Sequence, residues 1–386
     1  MFFLFLQLMK CIRATLLLIF MLHTSFAQPV LPDRAADSIA LAIPAASTKT
    51  ITGIAKYINV HFATDEEKVR AAFIWVASTF SYDVPNMVKQ DIKQTPQSKI
   101  SKALATHSSV CEHYALVFNE VCNTMGITSY VVTGCTRKNG SASVLPHAWC
   151  CAKVDGKWQL YDPTWASGYV QDGKFVRKIN DAFYKVDPYK MIATHMPFDP
   201  MWELLKYPIT NQDLLDSMVT EGTYKVIFNF EDSIATWQHQ TEEQRLLALA
   251  CRMESSGLTS SMITDEYNRT KMNLAYINSQ KYNASVNEFN KAVQFLNTFI
   301  TYRNHQFIPA KPDNAILAML DSTEKQLTLA LAKIADVRME GNIDAKVLGD
   351  YEKLRTDFIA KLDAQKSFLT HYMARDIANR KLMFEE

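Results

Sequence analysis

Apolar residues at Val69, Ala72, Phe73, Val76 and Phe80 fall at the spacing that lines one face of an α-helix. Thr64 with Glu67 three residues later forms a capping-box pattern just before them, so a helix is expected from Asp65 to near Ser81. Pro85 and Pro96 bracket a polar loop, and a short helix is expected around Lys99 to Thr106. The next helical pattern runs from Val110 to Thr124 through Ala115, Phe118, Val121 and Cys122, with Gly126 where a C-cap would sit. Cys111 therefore opens a helix. Ile127 to Thr133 is β-branched and aromatic and reads as a strand, while Ala148–Val154 and Lys157–Tyr161 flank Asp155-Gly156, a strong hairpin signal. One helix followed by an antiparallel meander is an α+β arrangement. After about residue 230 the strand signals stop. Breaks at Ser255–Gly257, Lys281–Asn283, Pro309–Pro312 and Gly341-Asn342 divide the remainder into about five helices. Tyr267 to Leu296 reads as a helical hairpin without a second copy at a fixed period, which favours a bundle over a solenoid.

The 386 residues exceed one ordinary domain, so two folded units are expected. Hydrophobic residues at 48% against 21% charged exclude a disordered chain. Lys+Arg 41 against Asp+Glu 40 leaves a net charge of +1, too little for the basic field that nucleic-acid binding draws on, so no nucleic-acid partner is expected. Lys10 and Arg13 precede an apolar run, Ala14 to Leu22, and Ser25-Phe26-Ala27 supplies small residues before Gln28, the pattern of a cleaved secretory signal. The expected organisation is a signal peptide over 1–27, a lead-in arm over 28–60, an α+β domain over 61–225 and a helical domain over 226–386. Export to the periplasm, cell surface or medium follows, with no stable membrane span after cleavage. Six cysteines remain beyond the signal, at irregular spacing that does not suit a disulfide scaffold.

The Asp-Gly hairpin carries the chemistry. A two-residue loop pairs Val154 with Lys157, and counting back sets Trp149 opposite Asp162. His147, Trp149 and Cys151 then share a face with Asp162, and His147 is the diagonal neighbour of that carboxylate. The register thus predicts a His–Asp pair, the arrangement that fixes an imidazole's tautomer in acyl-transfer triads. A thiol at a helix start, as at Cys111, gains from the helix dipole and from a nearby imidazolium. Its backbone N–H is also a candidate oxyanion donor. Cys151 shares the hairpin face but sits mid-strand, without a helix dipole. His107, Cys111 and His113 lack the paired spacing of a zinc site.

The segments SVCEHYALVFNEVCNTMGITSYVVTG (109–134) and HAWCCAKVDGKWQLYDPTW (147–165) resemble the transglutaminase-like superfamily, with its Cys-x-Gly-Tyr-Ala, His-Ala-Trp and Asp-x-Thr-Trp core. FIWVASTFSYD upstream and FYKVDPYKMIATHMPFDPMWELL downstream look like its kyphoscoliosis peptidase-type branch of exported proteins. The resemblance covers about residues 60–210 and implies a papain/transglutaminase-like core of helices packed on an antiparallel sheet, followed by an all-α bundle. It implies Cys111 as nucleophile, His147 as general base and Asp162 as orienting acid, acting on amide bonds through a thioester. Two positions depart from the pattern: the family glycine two residues after the nucleophile is His113, and Cys150 follows His-Ala-Trp. Trp149 is read as a wall of the site, and His113 as a structural or rim position or one that contacts substrate. No cofactor and no metal are expected, since no acidic calcium-type loop is present. The implied activity is peptidase or amidase hydrolysis on a protein, peptide or cell-envelope substrate. Two alternatives stand beside it: protein cross-linking by acyl transfer to an amine, and a non-catalytic module binding a cell-envelope protein or polymer.

Overall fold

The structure is a computed structural model that describes residues 34–87, 94–138, 141–215, 227–338 and 345–384. Helices α1 (Arg34–Leu41), α2 (Ile51–His61) and α3 (Asp65–Thr79) lead, followed by β1 (Ser81–Tyr82), α4 (Pro96–Thr106), β2 (Ser108–Ser109) and α5 (Cys111–Thr124). Strands β3 (Ser129–Lys138), β4 (Ser141–Val154) and β5 (Lys157–Tyr161) come next, then α6 (Pro163–Ser167), β6 (Gly168–Gln171), β7 (Lys174–Arg177), α7 (Pro188–Ile192), β8 (His195–Pro197) and α8 (Asn211–Leu215). The chain ends in α9 (Phe230–His239), α10 (Glu242–Ser256), α11 (Ser261–Asn304), α12 (Asp313–Ala335) and α13 (Ala345–Ala374). The fold is α+β with a large helical C-terminal region, and its main sheet is antiparallel in the order β5-β4-β3-β8. No helix among the described residues is long and apolar enough to cross a membrane.

The chain forms two compact units. One takes the residues up to Ser129 together with 152–157 and 163–184; the other takes 130–151, 158–162 and everything from 185 onward. In the first unit, α3 begins at the Thr64–Glu67 capping box, in which the Glu67 N–H donates to Thr64 Oγ1 at 3.2 Å and the Thr64 N–H donates to Glu67 Oε2 at 2.9 Å. Its buried face carries Phe73, which meets Phe118 of α5 edge-on at 6.2 Å and Tyr184 at 5.1 Å. Arg70, on the same helix, donates to both oxygens of Asp37 and to Asp181, so one guanidinium ties α1 and the 180s to α3. The carbonyl of Phe80 receives the Tyr114 hydroxyl at 2.7 Å and the Arg177 guanidinium at 2.6 Å, which fixes the exit of α3.

In the second unit, the buried face of the sheet presents Val132, Trp149, Cys151 and Leu160 to Met191, Met201, Trp202, Leu204 and Ile234. A second cluster gathers Cys135, Ile192, Met196, Phe198 and Leu205 against Met253 of α10 and Ile263 of α11. The last three helices share a core of their own, in which Phe289 of α11 packs against Tyr351 and Phe358 of α13 at 5.6 and 5.1 Å. Ser285 binds both the Ala330 carbonyl and the Tyr351 hydroxyl at 2.8 Å, which satisfies its buried polar group.

Several local expectations need adjustment. The break expected at Lys281–Asn283 is absent: α11 runs unbroken for 44 residues, so Tyr267 to Leu296 is a single helix and no helical hairpin. The segment holds neither glycine nor proline, and Asn283 is exposed, where its weak helix preference costs only a few tenths of a kcal/mol. A break not expected falls between α9 and α10, where Thr241 caps the new helix, while those at Ser255–Gly257 and Pro309–Pro312 separate α10, α11 and α12. The described part of the arm read over 28–60 holds α1 and α2; Ile51, Ile54, Ala55 and Ile58 bury one stripe of α2. The third strand starts at Ser129 and continues to Lys138. The signal segment at 1–27, the division at 225/226 and the break at Gly341-Asn342 lie outside the described residues.

Glu203 gives this unit a pH signature. It is 4% exposed, its Oε2 accepts the Ile209 N–H at 2.8 Å, and burial, with the Asp199 charge adding to it, pushes its pKa up to about 8. The folded value exceeds the unfolded one of ~4.3, so the stabilisation is complete below that value and declines as pH rises to about 8. Glu203→Gln keeps the acceptor and removes the ionisation. It is expected to unfold at a higher temperature than wild type at pH 8, by on the order of 2–4 kcal/mol in stability, with little difference at pH 4. Equal thermal unfolding of the two proteins at pH 8 would contradict a buried neutral acid here.

Candidate active site

Cys111 belongs to the first unit. Its position is set by a short parallel bridge in which Ser81 pairs with Ser108 and Tyr82 with Ser109, closed by the Ser81 N–H to His107 carbonyl bond at 2.8 Å. His107 ends α4 in the left-handed conformation, φ 52°, which turns the chain into β2. Val110 then stands extended as the N-cap, and Cys111 is the first residue of α5. The thiol is half-buried and free, at the end of the helix where the backbone dipole favours negative charge. Lys99 of α4 grips Glu112 at 2.7 and 2.8 Å and holds the first turn from outside.

His113 lies in that same turn. Its Nδ1 accepts the Val110 N–H at 3.3 Å, so the ring at the third helical position satisfies the backbone donor of the N-cap residue. Burial pushes its pKa below the ordinary value, which suits an accepting, neutral imidazole. This side of the ring is engaged with its own helix.

The second unit holds His147, Asp162 and His195. His147 lies on β4 and Asp162 directly after β5, joined by a two-residue turn in which Asp155 and Gly156 take φ of 48° and 78°. Both residues are left-handed, as a type I′ hairpin requires. The Nε2 of His147 is 2.8 Å from Asp162 Oδ2, with His147 8% exposed and Asp162 fully buried. Burial alone would raise the Asp162 pKa, but the bonds and charges of His147 and then His195 more than offset it and hold the acid well below the usual carboxylate range. Asp162 is therefore a carboxylate, an acceptor only, and the proton in the pair resides on the His147 Nε2. The basic nitrogen of a neutral His147 is then Nδ1.

His195 escaped the sequence reading as a site residue. Its Nε2 is 3.0 Å from the same Asp162 Oδ2, and its Nδ1 is 2.8 Å from Thr194 Oγ1. Trp149 packs against both imidazoles, with ring centroids 6.0 Å from His147 and 5.1 Å from His195. It is 1% exposed and its indole N–H finds no partner among the described residues, so it is an internal wall with no open face for a substrate. The three donor atoms of His147, Asp162 and His195 lie within 4.8 Å of one another, the composition of a metal site. Two N–H···O bonds onto one oxygen engage both Nε2 atoms, so a cation would have to displace both protons to enter.

Cys122, Cys135, Cys150 and Cys151 are buried, whereas Cys251 is exposed. Burial drives the Cys122 and Cys151 thiols far above their ordinary pKa and pushes Cys135 up to about 11. Among the described residues, Cys111, Cys122, Cys135, Cys150, Cys151 and Cys251 form no disulfide.

The family model of the transglutaminase-like superfamily matches residues 52–163, a stretch that contains Cys111, His147 and Asp162. Residues 52–163 are a transglutaminase-like domain. Its curated relatives include the kyphoscoliosis peptidases of Mus musculus and Homo sapiens, 30% and 31% identical over 169 residues, covering 42% of this chain and 25% of each relative. The chain thus spans about a quarter of the length of these relatives. A crystal structure of a TGase aligns over 42% of this chain and 38% of that one, with a TM-score of 0.26 and 20% identity. The matched stretch begins in α2 and ends at Pro163, before His195. A signal for His195 existed only in the downstream segment FYKVDPYKMIATHMPFDPMWELL. Its approach to Asp162 depends on β8 pairing with β3, where Thr136 faces His195, a contact no local pattern announces.

Proposed function

We propose that the chain is an exported thiol enzyme that acts on amide bonds of a protein, peptide or cell-envelope substrate, with Cys111 as nucleophile, His147 as general base and Asp162 as orienting acid. The observation that carries this reading is the buried carboxylate at 2.8 Å from His147 Nε2, which commits that nitrogen to the proton and leaves Nδ1 as the base. Nδ1 takes the Cys111 proton, and the thiolate attacks the amide carbonyl. The tetrahedral oxyanion is held in part by the Cys111 N–H at the start of α5. Collapse expels the amine, which takes the proton from His147, and leaves a thioester that water then hydrolyses. Support comes from the transglutaminase-like match across all three residues and from the peptidase name borne by its relatives.

The test is the rate of Cys111 alkylation by iodoacetamide against pH, with mass mapping of the label. Cys111 is expected to react well below pH 8, the ordinary thiol pKa being ~8.5, and His147→Ala is expected to remove that low-pH reactivity. Asp162→Asn should weaken it less, because the imidazole stays while its orientation is lost. A thiol that titrates like free cysteine in all three proteins would sink the enzyme reading and leave a transglutaminase-like binding module in its place.

A further inference from the structure

Asp162 serves two imidazoles through one oxygen. Its Oδ2 receives His147 Nε2 at 2.8 Å and His195 Nε2 at 3.0 Å, while the two rings lie 5.3 Å apart, tilted by 52°. All three residues are buried, Asp162 at 0%, His195 at 1% and His147 at 8% exposure. Because an ionised carboxylate only accepts, His195 must carry its proton on Nε2. Burial first, and the His147 charge with it, disfavours a second proton on His195 despite the pull of Asp162. Its Nδ1 is therefore an acceptor facing the Thr194 hydroxyl at 2.8 Å, the shorter of that hydroxyl's two contacts, the Met191 carbonyl lying at 3.3 Å. The result is a directed chain: Thr194 hydroxyl to His195, His195 to Asp162, and His147 to the same Asp162.

Strand pairing fixes the backbone of this second imidazole. His195 is the first residue of β8, paired with Thr136 of β3, and the Thr194 carbonyl accepts the Arg137 N–H at 2.8 Å. The titratable neighbours that act on His195 are Asp162, at the end of β5, and His147, on β4. His195 lies beyond residues 52–163, the stretch that the family model matches, and is a residue apart from Cys111, His147 and Asp162.

We propose that His195 is a positioning residue: by donating to the same Asp162 oxygen as His147, it locks the carboxylate's orientation and takes a share of its charge, thereby setting how strongly Asp162 holds His147. The role rests on the reading of His147 as general base, but its consequences for His147 are observable without any substrate. Hydrogen bonds to a carboxylate lower its basicity. Removal of the His195 donor therefore concentrates the Asp162 charge on His147 and favours the imidazolium, and the midpoint of His147 titration rises. With Asp162 also less constrained, the His147 ring loses its single orientation.

The experiment is histidine-selective NMR on the full chain, following the His147 ring nitrogens through a pH titration in wild type, His195→Gln and His195→Leu. Cys111 alkylation is measured on the same samples. In His195→Leu the His147 protonation constant is expected to rise by about threefold to tenfold, and the acid limb of Cys111 alkylation to move with it. His195→Gln keeps an amide N–H within reach of Asp162 and is expected to stay close to wild type. If the leucine variant does not fold, His195→Asn replaces it: its shorter amide stays polar but falls short of Asp162, so it should shift His147 as leucine would. A folded leucine or asparagine variant with an unchanged His147 titration overturns the proposal, as does a glutamine variant that shifts as far as leucine. Should His195 tune His147 while Cys111 proves unreactive even in wild type, the positioning role stands and the thiol-enzyme reading falls. With a reactive, His147-dependent Cys111 and no response to His195, the thiol enzyme stands and the positioning role falls.

Discussion

Exposure of the chain to p-nitrophenyl acetate is expected to leave one acetyl group on Cys111, with release of p-nitrophenolate, and Cys111→Ala should abolish both. The thiolate attacks the ester carbonyl, the bond to the phenolate oxygen breaks, and a thioester remains, so the product is read directly as added mass on one peptide. Because the ester is activated, the probe needs no knowledge of the natural substrate. His147→Ala should slow acetylation by roughly 10²–10⁴-fold, the usual contribution of a positioned base. The buried thiols serve as internal controls, since Cys122 and Cys151, held far above the ordinary thiol pKa by burial, should remain unlabelled. The decay of the acetyl-enzyme then separates the two chemical outcomes that share this triad. Decay that is insensitive to added amine marks a hydrolase, whereas acceleration by a primary amine, with the acetylated amine as product, marks an acyltransferase. Acetylation that persists in the Cys111→Ala variant would remove Cys111 from the nucleophile's role.

Gly134→Ala is expected to damage the second unit severely. Gly134 lies on β3 opposite Pro197 of β8, and a Cβ there would collide with the Met196 carbonyl oxygen and stand 2.6 Å from Trp149 Cη2 and 2.7 Å from Pro197 Cα. Two of these three obstacles are backbone and cannot rotate away, so the strand pair must part or the indole must move. The indole is fully enclosed and already packs against both imidazoles. A cost of about 3 kcal/mol, the upper end of the usual overpacking range, is expected at such a site, which lowers the unfolding temperature by roughly 6–12 °C for a unit of this size. The variant should also loosen His195 from Asp162, because β8 carries that histidine. Thermal unfolding within about 2 °C of wild type, well short of that shift, would show that β3 and β8 adjust to the added methyl group and that glycine is not required.

Legibility followed the range of the interactions. The capping box at Thr64, the helix start at Cys111 and the Asp155-Gly156 turn are local, each fixed by residues within a few positions, and each stands in the structure where the pattern put it. The turn also carried a tertiary consequence, because a two-residue hairpin sets the register that brings His147 to Asp162. His195 had no such route. Thirty-three positions separate it from Asp162, and only the long-range pairing of β8 brings it in. The burial of Trp149 was equally out of reach, since it depends on a glycine in another strand making room for the ring. In α11 a lysine, a tyrosine and an asparagine resembled a break, but without glycine or proline the surrounding packing decided in favour of continuity.

That continuity has a mechanical side. The first turns of α11 rest on Met253 and the cluster around Met196 of β8, the strand that carries His195, whereas its last turns belong to the core shared with α12 and α13. At 1.5 Å per residue, 44 residues make a rod of about 66 Å. A tilt of about one degree at the Met253 end swings the far end through about 1 Å, with no hinge between to absorb it. Load applied to the distal bundle is accordingly transmitted as torque to the packing beneath β8.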